Sequence, residues 1–123
     1  MDRMSQSAAQ AAAFFTEVNR TGRLWTVRDA GGYPAPSNSQ GRRAQPFWSS
    51  EARVRRIIKR VPAYSGFDPE ELDLASWRER WLPGLGQDGL LVGLNWTGAR
   101  AVGYEFTAAE VIARLDATPA PSP

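Results

Sequence analysis

Cysteine and histidine are both absent from this chain of 123 residues, and Lys59 is its single lysine. Without cysteine there is no disulfide, no thiolate nucleophile and no cysteine-based zinc site. Without histidine no imidazole serves as a general base, so Ser-His-Asp and Cys-His catalysis are excluded. Serine–lysine chemistry would have to use Lys59, which helical spacing puts mid-helix on an exposed arc with no serine placed for it. No apolar run approaches the roughly 18 residues of a membrane span, so no membrane association is expected. The stretch Met1 to Gln10 is polar and then Ala-rich, without the apolar core of a secretion signal, and a cytoplasmic protein is expected.

Charge is also scarce in net terms. The formal net charge is +2 although the pI is near 9.5, because arginine supplies nearly all the positive charge and titrates very high. Any electrostatic role therefore depends on local clustering. Hydrophobic residues make up 42% and charged residues 23%, the balance of a globular protein, and the length suits one domain, placed at residues 1–116 with a disordered Pro-rich tail over 117–123.

Periodicity organises the chain around Gly22 to Val61. Before it, Ser5 to Asn19 reads as a helix with Ala11, Phe14, Phe15 and Val18 on one face. Leu24 to Arg28 reads as a strand with Trp25 and Val27 on one side. Asp29 to Gly32 is a turn, Tyr33 resumes an edge strand at most, and Ser37 to Ala44 is expected to be a mobile polar loop. Gln45 to Trp48 suits a short strand. A helix then starts at Ser49 or Ser50, carries Glu51 in its first turn, buries Val54, Ile57, Ile58 and Val61, and stops at Pro62.

Phe67 to Leu74 is an acidic connector with room for a short strand. Asp73 caps a helix bearing Leu74, Trp77, Trp81 and Leu82, which Pro83 and Gly84 are expected to end. Leu90 to Trp96 and Ala101 to Phe106 alternate as two strands of a hairpin. Trp96 is expected on the same core face as Val92 and Leu94, met by Val102, Tyr104 and Phe106. Thr107 to Glu110 is a capping box opening a last helix on Val111, Ile112 and Leu115. The order predicts an α+β fold, one domain with an antiparallel or mixed sheet of four to five strands and about four helices packed on it.

Three constellations carry chemistry. Of the five tryptophans, periodicity puts Trp25, Trp81 and Trp96 in the core; Trp48, at a strand–helix junction, is the one expected to line a cleft. The run Arg53, Arg55, Arg56, Lys59, Arg60 occupies one broad arc opposite the apolar stripe, either a solvated face partly neutralised by Asp68, Glu70, Glu71 and Asp73 or a phosphate or acidic-partner site that Arg42 and Arg43 extend. Gly84, Gly86 and Gly89 match G-x-G-x-x-G but follow a helix and lead into a strand, the reverse of the dinucleotide context. Asp29, Glu51 and Asp73 are explained as caps or turns. No catalytic residue, metal ligand or cofactor is assigned.

Gly22, Trp25, Asp29 and Gly32, followed by Pro46-Phe47-Trp48-Ser49-Ser50-Glu51-Ala52, resemble a bacterial family, the domain of unknown function numbered 2750. Leu74 to Leu85 and Leu90 to Trp96 continue the resemblance, while the Tyr33 to Ala44 loop departs from it. The resemblance implies the fold outline and a cytoplasmic bacterial setting and supplies no catalytic residue. The sequence is read as a non-enzymatic protein-interaction module with another protein as partner and its oligomeric state open. One alternative is a small anionic-ligand or enzyme site at Trp48, Ser49 and Glu51, where a helix start favours an anion. The other is nucleic-acid binding through Arg53, Arg56 and Arg60.

Overall fold

The computed structural model describes residues 5–117; the Pro-rich tail lies, but for Ala117, outside them. Helix α1, Gln6–Thr21, is capped by the Ser5 hydroxyl, which accepts from the Ala8 N–H, and it ends at Gly22, whose φ of 71° closes the last turn. Strand β1, Arg23–Arg28, follows. Strand β2 is Ala44–Phe47 and helix α2 is Glu51–Arg60, capped by the Ser50 hydroxyl on Arg53 N–H. Strand β3 is Asp68–Asp73. Helix α3 spans 74–87 in three parts, ordinary turns at Leu74–Ser76 and Leu82–Gln87 flanking a π turn at Trp77–Trp81. Strands β4, Leu91–Leu94, and β5, Glu105–Phe106, precede helix α4, Ala108–Ala117. Thr107 and Glu110 exchange hydrogen bonds at its start, as the capping box requires.

Among the described residues the fold is α+β, with four helices and five strands in two sheets. Strand β1 pairs antiparallel with β3, Arg23 opposite Asp73 and Arg28 opposite Asp68. Strand β4 pairs parallel with β2 and antiparallel with β5. One two-residue bridge joins the sheets: Trp25 and Trp48 exchange N–H···O bonds of 2.7 Å each. The next exchange along an antiparallel ladder would pair Val27 with Pro46, and proline has no N–H to give. The Thr26 hydroxyl donates to the Pro46 carbonyl instead, at 2.9 Å. Pro46 thus divides what would otherwise be one five-stranded sheet.

Alternation along the strands sends side chains to two cores. Leu24, Phe47, Val92 and Leu94 pack with Phe14, Phe15 and Val18 of α1, with Trp77 and Leu82 of α3, and with Val111 and Leu115 of α4. Val27, Trp48, Leu91 and Trp96 pack on the other side with Val54 and Ile57 of α2, Val61 and Tyr64. The strands are therefore sandwiched between three helices and one.

Three expectations need correcting. Pro83 does not end its helix: the π turn hands the Leu82 N–H to the Trp77 carbonyl, widening the turn that Pro83 enters, and the helix runs on to Gln87. Trp96 does not share a face with Val92 and Leu94. Asn95 takes a left-handed φ of 50°, which breaks the alternation and swings Trp96 to the α2 side. Val102 and Tyr104 are 61% and 47% exposed, because the helical cover on their face reaches only Phe106, which meets Phe15. In the Ser37 to Ala44 loop, Asn38 Oδ1 accepts from the Gln40 and Arg42 N–H groups, and its amide donates to Glu105.

Candidate functional site

Helix α2 carries its charges on two faces. At 100° per residue Arg53, Arg56 and Arg60 line up beside the buried Ile57, whereas Arg55 and Lys59 point outward. The inward three line a pocket of about 510 Å³ together with Gln6 and Gln10 of α1, Trp48, Ile57 and Val61, and the segment Asn95 to Ala99. The fold thus brings four of the sequence-nominated residues, Trp48, Arg53, Arg56 and Arg60, into one concavity. Ser49 and Glu51 are not among its lining. Ser49 is buried beneath the α2 start, and Glu51 lies on the exposed side, paired with Arg55 at 2.6 Å.

A hydrogen-bonded frame holds this pocket. The Arg53 guanidinium grips Glu17 through Nε at 3.1 Å and Nη2 at 2.9 Å, and its Nη1 donates to Gln10 Oε1. The Ser49 hydroxyl donates to Glu17 Oε1 at 2.6 Å. The Asn95 amide donates to the Gln10 carbonyl at 3.1 Å and to Ser49 Oγ at 2.9 Å, while its Oδ1 accepts the Ser49 N–H at 2.9 Å. Arg53's hydrogen bond, against the opposing effect of burial and with help from Ser49, holds the Glu17 carboxyl below its ordinary range. Arg53 is thereby spoken for, a structural ion pair between α1 and α2.

Arg56 and Arg60 differ. Among the described residues neither makes an ion pair, and the acidic strand does not neutralise them: Glu71 pairs with Arg23, Glu70 with Arg28, and Asp73 caps α3. The Asp29 carboxylate accepts from the Gly31 N–H in its own turn, and Arg43 donates to the Ala35 carbonyl. The floor is apolar. The Trp48 indole N–H is taken by the Trp96 carbonyl at 2.9 Å, and that of Trp96 by the Tyr104 carbonyl at 3.1 Å. Trp48 is 1% exposed, so it walls the cleft from within instead of standing open in it. Trp25 and Trp81 are half-buried, and Trp77 is fully buried between Phe14 and Phe47.

The family described as "Protein of unknown function (DUF2750)" matches residues 11–115. The chain belongs to that family. No curated protein matches it. The DUF2750 span holds the whole pocket except Gln6 and Gln10, which lie just before it. A second cavity of about 790 Å³, lined by Pro34, Tyr64, Phe67 and Val102, backs onto the other side of Trp96 and contains none of the nominated residues. Its arginine is Arg100 and its carboxylate is Glu105, already held by Asn38. No described helix is long and apolar enough to cross a membrane, and no cluster of three carboxylates suited to a metal ion occurs among the described residues.

Sequence reasoning missed Gln6, Gln10, Glu17 and Asn95. The first three fall on one face of α1 at helical spacing, a polar stripe beside the Phe14 stripe that was legible. Asn95 is of a residue type that, after glycine, most readily takes a positive φ, which marks the place where strand alternation stops.

Proposed function

We propose that this DUF2750 chain is a non-enzymatic, cytoplasmic protein-interaction module that holds an acidic group of its partner in the pocket between α1, α2 and the 95–99 segment. The observation that supports this best is Arg56 and Arg60 projecting into one concavity without a described carboxylate partner, over a floor whose polar groups are satisfied. Unneutralised guanidiniums in a cleft favour a carboxylate or phosphate, since each offers a planar fork of donors. Catalysis gains no support from the same place. The carboxylate bound to Arg53, Glu17, is locked by Arg53 and Ser49, and its lowered pKa suits an ion pair and not a general base working near neutral pH.

The test is retention on an array of immobilised peptides, acidic against neutral, by the wild type and by Arg56→Glu/Arg60→Glu. The wild type is expected to retain acidic peptides and the variant to lose them while keeping its melting temperature. Equal retention by both proteins would contradict the reading, as would turnover of a substrate abolished by a carboxylate substitution.

A further inference from the structure

We propose that the larger cavity, of about 790 Å³ on the far side of Trp96, is a second binding site and takes a small organic amine, a protonated nitrogen on an apolar body. It shares no charged residue with the arginine pocket, and the two readings stand or fall separately.

The charge follows from an unneutralised carboxylate. Glu17, Glu70 and Glu105 are the half-buried carboxylates among the described residues. Arg53 neutralises the first and Arg28 the second. Glu105 makes no ion pair among the described residues. Its Oε1 accepts from the Asn38 amide at 2.8 Å, a neutral donor that leaves the negative charge in place. Tyr64, which lines the same cavity, is 6% exposed, and its hydroxyl bonds to no described residue. That hydroxyl is not sealed in the core either, because among the described residues only Trp77 Nε1 is both sealed and unpartnered. Burial pushes the phenol pKa up and keeps it neutral. A carboxylate only accepts hydrogen bonds, and a phenol oxygen accepts as well as donates. The group complementary to both is a positively charged N–H donor, and an ammonium is the compact one.

The apolar body follows from surface that a ligand can reach. Val102 is 61% exposed, Pro36 is exposed, and Pro34 and Phe67 are half-buried, and all four line the cavity. The volume falls within the range of about 300–1,000 Å³ in which small organic ligands bind. Arg100 also lines the cavity, exposed and without an ion pair among the described residues, and makes an apolar acid the competing occupant. Glu105 outweighs it, since a half-buried charge acts more strongly than a hydrated and salt-screened one.

Calorimetric titration of the intact chain with phenethylamine, 2-phenylethanol, 3-phenylpropionate and methylamine tests this. Phenethylamine is expected to bind at least about tenfold more tightly than each of the other three. Glu105→Gln, which can still accept from Asn38, is expected to abolish the preference for amine over alcohol at an unchanged melting temperature. Tyr64→Phe, which keeps the ring, is expected to weaken the amine about two- to tenfold. Arg100→Gln is expected to leave amine binding undiminished. Equal binding of amine and alcohol would overturn the inference, as would tighter binding of 3-phenylpropionate or an amine preference that survives Glu105→Gln. Sedimentation of the free chain tests a second copy as occupant, and a dimer that Val102→Glu dissociates would also overturn it. Retention of acidic peptides through Arg56 and Arg60 is read at the other cavity and is expected to be unchanged in Glu105→Gln.

Discussion

Trp96 is clasped between two glycines. A Cβ built on Gly93 would lie 2.3 Å from Cε2 and Cζ2 of its indole, and one built on Gly103 would lie 2.9 Å from Cδ1. Neither glycine is needed for a left-handed backbone; each is needed because a ring lies where its side chain would be. Gly93→Ala is therefore expected to force Trp96 out of its place and to cost about 1–3 kcal/mol or more, the usual range for overpacking. Gly84 meets nothing within 4 Å at the same construction and sits inside α3. Gly84→Ala is expected to be neutral or to stabilise by about 0.4–1 kcal/mol. Urea unfolding of the two variants checks the pair, and a Gly93→Ala midpoint at or above that of Gly84→Ala would contradict the packing described. The identity of Trp96 as core was legible from alternation, but its face was not. A single positive φ at Asn95 swings Trp96 to the other side, and sequence carries that only as the presence of an asparagine.

Helices were the most legible elements. The Ser5 and Ser50 caps, the Thr107–Glu110 box and the buried stripes of α1, α2 and α4 follow from residue type and 3.6-residue spacing. What escaped notice depends on groups distant in sequence. The π turn that accommodates Pro83 and the ladder that stops at Pro46 are set by partners across the fold. So is the division of the α2 arginines, because only the approach of α1 brings Glu17 to Arg53. That ion pair gives a pH signature. A carboxyl with a folded pKa below its unfolded value contributes stability that is present above the unfolded value and lost as pH falls through the folded one. The acid-side loss should therefore appear below the ordinary value of 4.5. Glu17→Gln is expected to cost about 1.5–3 kcal/mol near neutral pH, the range for hydrogen bonds to a charged group. Its urea midpoint should fall less than that of the wild type between about pH 6 and about pH 3. Parallel pH profiles for the two proteins would show that the Glu17–Arg53 contact contributes nothing to folding.

At the scale of the whole molecule the strands separate two jobs. On one side α1, α3 and α4 build a core around Phe14, Phe15 and Trp77. On the other, α2 together with Val61 and Tyr64 covers Trp48 and Trp96, and the gap between its arginine face, α1 and the 95–99 segment is the pocket. The architecture class was legible in the order of elements. The pocket was legible only as its parts, Trp48 and the basic run, because its walls come from chain segments dozens of residues apart. The central claim is that Arg56 and Arg60 act inside this concavity and not as members of a diffuse basic face. Arg55 and Lys59 offer the comparison, since they share the helix and the charge but project outward. The decisive measurement is the affinity of acidic peptide for Arg56→Ala/Arg60→Ala and for Arg55→Ala/Lys59→Ala, each against the wild type at one fixed ionic strength. At least about a tenfold loss is expected in the first pair and little change in the second. Equal losses in both would contradict it, and would return the α2 charges to a general electrostatic surface.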